Sequence, residues 1–193
     1  MIYYTADLHF GCSNRYEDRT KEMDEQIIRN WNKRVGNGDK VYILGDLGKE
    51  GPQADNEYLI KCLSLLKGHK ILIQGNHDHL KDLRIRQQFE EIHQYHEIQD
   101  SVKGKTYKLV LFHYPILFWN GQHQGKILLY GHLHATPEEQ LFQKQLKALN
   151  KHFAEETAKG RTDCPKARAY NVGCMNWSYQ PRTLEEIING VCD

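Results

Sequence analysis

The sequence predicts an α/β fold, and three observations carry that expectation. Short apolar runs alternate with longer segments of helical period through the first half of the chain, in the order β-α-β-α-β-α. The second half carries further strands, one long amphipathic segment and a short helix near the end. Five of the strand-like runs finish in aspartate, asparagine or histidine, often beside glycine, rather than in a plain turn.

Each element has its own signal. "MIYYTADLH" reads as the first strand. "RTKEMDEQIIRNWNKRV" follows, with Met23, Ile27, Trp31 and Val35 four apart, an amphipathic helix stopped by "GNGD". "KVYILGDLG" is the second strand. A helix is expected around "ADNEYLIKCLSLLKG", with Gly68 as its stop. "KILIQGNHD" is the third strand and "LKDLRIRQQFEEI" a third helix. Alternation of this kind makes neighbouring strands parallel, with helices covering them. "YHEIQDSVKGKTYKLVLFHYP" reads as two strands joined at "KGK", and "KILLYGHLH" as another. A helix over 137–159 starts with Thr136 as N-cap, Pro137 at its first position and Glu139 completing a capping box. Leu141 or Phe142, Leu146, Leu149 and Phe153 form its apolar stripe, for which core packing is the first reading and a cover or dimer contact the others. "ARAYNVGCM" is the last strand, and Thr183 to Glu186 caps a final short helix.

Composition bounds the function. The 193 residues suit a single domain spanning 1–193, without repeats or a linker. Hydrophobic content of 39% and charged content of 26% describe a globular protein. No apolar run is long enough to cross a bilayer, and the start of the chain lacks a basic leader, so the expected compartment is the cytoplasm. Five cysteines without regular spacing or a CxxC pair argue against a disulfide framework and a zinc ribbon. A net charge of +1 provides no global attraction for nucleic acid or an anionic membrane.

The strand ends carry the chemistry. They give Asp7-Leu8-His9, Gly45-Asp46, Gly75-Asn76-His77-Asp78, His113, and Gly131-His132-Leu133-His134. In open α/β sheets functional groups gather beyond the carboxyl ends of the strands. Strand alternation would put Asp7 with His9, and His132 with His134, on common sides. Gly45, Gly75 and Gly131 would leave room beside them. Each fragment alone is an ordinary turn or a core histidine. The ordered set is not what independent turns produce.

That order, D-x-H, GD, GNHD, a lone His and GHxH, resembles the calcineurin-like metallophosphoesterases. "TADLHFG", "WNKRVGNGDKVYILGD", "FHYP" and "YNVG" are similar to a small bacterial branch of that superfamily. The resemblance implies two packed mixed β-sheets flanked by helices, an αββα sandwich with a dinuclear metal centre at one edge. It implies that Asp7, His9 and His134 hold one metal, that Asn76, His113 and His132 hold the other, and that Asp46 bridges them. Two divalent ions of the Mn, Fe, Zn, Co or Ni class suit these nitrogen and oxygen donors. A bridging hydroxide would attack phosphorus, and the centre would keep about one positive charge for an anionic phosphoryl group. His77 would be the acid or transition-state stabiliser, with Asp78 hydrogen-bonding its ring.

The expected activity is hydrolysis of a small phosphodiester or phosphomonoester, nucleotide-derived among the options. A catalytically silent metal-binding scaffold and a nuclease on polymeric nucleic acid are the alternatives, and a homodimer is compatible with either. Silent relatives would be expected to lose ligands, whereas this chain keeps all seven and His77. Tyr114 and Trp119 are candidate pocket walls, with core packing as the other reading. Arg15, Arg161 and Arg168 are candidates for a second phosphate, with solvent-facing side chains as the commoner reading for scattered arginines. Cys12 stands where the small branch often has histidine, and reads as a loop thiol near the metals. Asn171 and Gly173 read as packing and supporting residues behind the site.

Overall fold

In the computed structural model the described residues are 1–12, 20–49, 54–160 and 163–190. Arg15 and Arg161 lie outside them. The elements run β1 (Ile2–Thr5), α1 (Lys21–Arg34), β2 (Lys40–Ile43), α2 (Asn56–Ser64), β3 (His69–Ile73), α3 (Leu83–Arg86), β4 (Glu91–His93), β5 (Tyr95–Val102), β6 (Lys105–Phe112), β7 (Ile127–Tyr130), α4 (Pro137–Ala158), β8 (Arg168–Asn171) and α5 (Leu184–Asn189).

Two four-stranded sheets result, in the orders β1-β2-β3-β4 and β5-β6-β7-β8. The first is wholly parallel, as its helical crossovers demand. In the second, β5 and β6 are an antiparallel hairpin, and β6, β7 and β8 are parallel. Lys103 and Gly104 turn that hairpin with φ of 50° and 79°, the left-handed pair a two-residue connection needs.

Strand alternation sorts the side chains into three apolar layers. Tyr4, Tyr42, Ile71 and Ile73 of the first sheet meet Leu109, Leu111, Ile127 and Leu129 of the second between the sheets. Tyr3, Val41, Ile43 and Leu72 face outward under Ile27 and Trp31 of α1 and Leu59 and Leu63 of α2. Val110, Leu128 and Tyr130 face outward on the other side, under Phe142 and Leu146 of α4. The layers are therefore helix, sheet, sheet, helix. Burial of each such large side chain contributes about 1.5–3 kcal/mol, so the sandwich rests on all three layers.

Local chemistry sets the helix ends. The Thr20 side chain accepts the Met23 N–H, and Asp55 accepts that of Tyr58 at 2.9 Å. The full capping box of Thr183 and Glu186 opens α5. On α4 the stripe includes Phe142, while Leu141 stays 55% exposed; core packing is the arrangement seen. Its expected capping box is absent. Thr136 donates its hydroxyl to the Leu133 carbonyl, and Glu139 accepts instead from the Tyr130 hydroxyl at 2.7 Å.

The expected third helix is a correction. Only Leu83–Arg86 is helical, and Glu91 and Ile92, read as the end of that helix, belong with His93 to the edge strand β4. Two pairings decide it: Glu90 N–H donates to Lys70 C=O and Gln74 N–H to His93 C=O, so the open edge of β3 captures the segment. No helix of the described residues is long and apolar enough to cross a membrane.

Candidate metal centre

The site is built where strands stop. β1 ends at Thr5 and β2 at Ile43, so Asp7, His9 and Asp46 sit in the following loops. The expectation that strand alternation aligns Asp7 with His9, and His132 with His134, is thereby corrected. Asp7, His9, Asp46, His132 and His134 all have left-handed backbones, with φ of 57°, 47°, 57°, 71° and 50°. A non-glycine residue in that region costs of order 1–3 kcal/mol and persists only where its surroundings hold it. Here the aligning device is a shared strained turn geometry rather than pleat.

Those turns bring seven side chains together. Donor atoms of Asp7, His9, Asp46 and His134 lie within 4.8 Å of one another, and so do those of Asp46, His113 and His132. Asp46 belongs to both groups. Its Oδ2 is 3.7 Å from His9 Nε2 and 3.5 Å from His113 Nε2. His9 Nε2 and His134 Nε2 approach to 3.1 Å, and Asn76 Oδ1 comes within 2.9 Å of His113 Nε2. The structure thus brings the seven candidate residues into two adjoining groups that share Asp46. Two adjoining groups of imidazole nitrogen and carboxamide or carboxylate oxygen, without thiolate, fit two divalent transition metals.

The surroundings aim these donors. Nδ1 of His113 lies 2.7 Å from the Leu44 carbonyl, which must accept its N–H and so leaves Nε2 to a metal. The His132 N–H donates to both Asp7 oxygens, at 3.0 and 3.1 Å. Asn171 donates to the His134 carbonyl at 3.1 Å and to Glu139 at 3.0 Å, tying the last loop to α4. Asn171 is thus a support, as expected. Glu139 is a supporting residue that the sequence reading missed, because its spacing from Thr136 matched a capping box.

Glycines make the crowding possible. A Cβ on Gly45 would lie 2.7 Å from Gly75 Cα, and one on Gly75 would lie 2.9 Å from His113 Cε1 and overlap Asp46 Oδ1. Gly45 also has φ of 88°, so both space and conformation exclude a larger residue.

Burial sets the charge balance. It pushes Asp46 above the usual carboxylate range, with the His77 N–H bond and nearby histidines pulling the other way. It pushes His113 and His132 below the usual imidazole range. These imidazoles are therefore neutral and ready to coordinate at neutral pH. Asp78 is raised by burial too.

The remaining candidates separate by position. His77 is half-buried at the mouth, its N–H donating to Asp46 Oδ1 at 3.1 Å and its ring centroid 5.7 Å from that of His9. Asp78 does not take the expected place on that ring. Its carboxylate accepts the N–H groups of Asp46, Leu47 and Gly75, at 3.0, 2.8 and 2.8 Å. Tyr114 is 36% exposed and stands edge-on to His132 and His113, with centroids 4.8 and 4.9 Å away. Trp119 is not a pocket wall: it is buried in the layer under α4 and donates to the Lys126 carbonyl. Arg168 opens β8, at the far end of the strand from the metal centre, and stacks on Tyr107. Cys12 is buried with Sγ 3.9 Å from His9 Nδ1.

Comparisons with known proteins bear on the fold and the family. The chain is 33% identical over 193 residues to the uncharacterized protein MJ1445 of Methanocaldococcus jannaschii, covering 97% of this chain and 89% of that one. Its fold matches that of the protein of unknown function AQ665 from Aquifex aeolicus, with a TM-score of 0.66, 22% identity and 99% of each chain covered. The model of the calcineurin-like phosphoesterase family matches residues 1–164. With that match across most of its length, this chain belongs to the calcineurin-like phosphoesterases.

Proposed function

We propose that the protein is a dinuclear metal-dependent phosphoesterase that hydrolyses a small phosphodiester or phosphomonoester. The observation that carries this reading is the pair of ligand groups that share Asp46. Asp7, His9, Asp46 and His134 would hold one ion, and Asp46, Asn76, His113 and His132 the other. When bound, the two ions supply Lewis-acid charge and a water activated for attack at phosphorus.

The chain's own residues supply the rest. Asp46, almost fully buried, fixes the spacing of the two groups. Asn76 brings a neutral oxygen, so the centre keeps net positive charge toward a phosphoryl anion. His77 is held beside the two groups through its N–H on Asp46, and it belongs to neither of them. There it protonates the departing oxygen or stabilises charge on the phosphoryl oxygens. Tyr114 offers an exposed aromatic edge beside two ligand histidines, suited to a planar group on the substrate. Asp78 acts by positioning, through the three N–H groups it holds.

The test is hydrolysis of paired aryl phosphate mono- and diesters by metal-free protein reloaded with Mn, Fe, Co, Ni or Zn. Turnover that requires metal is expected, and the ester ratio gives the substrate class. Two metals bound without turnover on any ester would favour a binding scaffold instead. No metal bound would overturn the reading.

A further inference from the structure

We propose a second, separate metal site at Glu91, His93 and His96, which takes a single Zn²⁺-class ion and clips the two sheets together along their shared edge. The argument begins with register. Glu91 and His93 of β4 pair with Ile71 and Ile73 of β3, which face the layer between the sheets. Ile92, between them, packs on the outer layer instead. His96 of β5 pairs with Leu111, again an inward position. Three inward positions at the lip of the sandwich, where apolar residues would close the layer, therefore carry two imidazoles and a carboxylate.

The chain crosses from the first sheet to the second here, with only Gln94 between β4 and β5. That crossing brings the three side chains together. One donor atom from each lies within 4.8 Å of the others, and none of the three belongs to the dinuclear centre. Glu91 Oε2 is 2.8 Å from His93 Nε2. The rings of His93 and His96 stack with centroids 4.0 Å apart and planes 14° from parallel. Tyr42 of β2 lies beside His96 as well, with ring centroids 6.2 Å apart and planes 29° from parallel.

The donor set selects the ion. Two imidazoles and one carboxylate suit Zn²⁺, Ni²⁺ or Cu²⁺ and disfavour Mg²⁺ and Ca²⁺. Three protein donors leave a fourth tetrahedral position to water, and both histidines are half-buried with Glu91 exposed, so water reaches it. Bonds of about 2.0–2.2 Å place tetrahedral donors roughly 3.4 Å apart. Lys40 lies close enough to act on both Glu91 and His96, and one carboxylate on a divalent ion leaves positive charge beside it. Lys40 therefore weakens the site.

The functional consequence is a staple. β4 and β5 are the edge strands of the two sheets, and an ion held by both resists their parting. Binding to the folded state alone raises the melting temperature with ion concentration.

The experiment separates this site from the dinuclear centre. An Asp46→Ala, His134→Ala variant is titrated with Zn²⁺ alone, followed by inductively coupled plasma counting after dialysis. It should still hold one Zn²⁺ per chain, and adding His96→Ala should weaken that binding by more than about 100-fold. A background variant that holds no Zn²⁺, or whose binding ignores His96→Ala, overturns the proposal. Should the background variant not fold, wild type is compared with His93→Gln, His96→Gln. Wild type should hold one more Zn²⁺ and show the larger Zn²⁺-dependent rise in melting temperature, while phosphoesterase activity is the same in both. Equal counts and equal rises overturn the proposal.

Discussion

Asp78 grips Asp46 by its main chain: Asp78 Oδ2 accepts the Asp46 N–H at 3.0 Å. The same carboxylate accepts from Leu47 and Gly75, so one buried anion fixes the two loops that carry Asp46 and Asn76. Asp78→Ala leaves three N–H groups without that acceptor in a buried place. Each unsatisfied buried group costs about 1–3 kcal/mol, and partial rehydration trims the sum, so a loss of roughly 2–5 kcal/mol is expected. Metal affinity should fall by about 10–100-fold, as for other residues that orient ligands. Urea unfolding and a metal titration check both. A variant with unchanged stability and affinity but a lost kcat would instead make Asp78 a participant in the chemistry.

The candidate ligands were legible in the sequence because every one follows a strand end within four residues. Their order along the chain, rather than any single fragment, pointed to metal chemistry, and the resemblance assigned their roles. What aligns them was not legible, since pleat alternation gives the same pairing for Asp7 and His9 that the left-handed turns produce. β4 was hidden for a different reason: "FEEIH" has no strand composition of its own and becomes a strand by pairing with β3. Trp119 and Arg168 were misplaced because nearness in sequence to a ligand or to "YNVG" says nothing about which face or end of a sheet a side chain occupies. Glu139 shows one residue serving two readings, with Tyr130 and Asn171 winning it from the helix cap.

Gly75→Ala tests the close packing of the two central loops. The added methyl would overlap Asp46 Oδ1 and press on His113 Cε1 at 2.9 Å. Both are candidate ligands, and Asp46 belongs to both groups. The backbone there cannot yield, because the Gly75 N–H is held by Asp78. The variant should fold with a lowered melting temperature and hold at least one metal fewer per chain than wild type. Metal counting by mass spectrometry under native conditions decides it; a count equal to that of wild type would contradict the crowding argument.

His77→Asn tests the assignment of the group at the mouth. The ring of His77 is not among the gathered donors, whereas its main-chain N–H is bonded to Asp46 and survives the change. Metal content should therefore match wild type. A positioned acid or charge stabiliser contributes about 10²–10⁴-fold, so kcat should drop by that factor with little change in KM. The drop should be smallest for esters whose leaving group needs no proton. A loss of metal along with the loss of rate would reassign His77 as a support of the centre.

The metal-free protein should lose stability as the pH falls from neutral, and the sign follows from burial. Burial is the first cause that holds the folded pKa values of His113 and His132 below the ordinary imidazole value of 6.5. Above 6.5 both folded and unfolded states are neutral there, and the contribution is fully present. As the pH falls through 6.5 the unfolded chain takes up protons first, so stability is lost until the pH passes below the folded values. Asp46 acts in the opposite sense. Its folded pKa is raised from 3.8, so its contribution is full below 3.8 and is lost as the pH rises through the folded value. Melting temperatures in chelator between about pH 7.5 and 5.5 should therefore fall, and fall less steeply in His132→Gln, where one buried imidazole is gone. Bound metal requires neutral imidazoles, so loading the centre should steepen the fall over the same interval. A flat profile for metal-free protein, or one indifferent to His132→Gln, would mean that His132 takes up protons in the folded state as readily as in water.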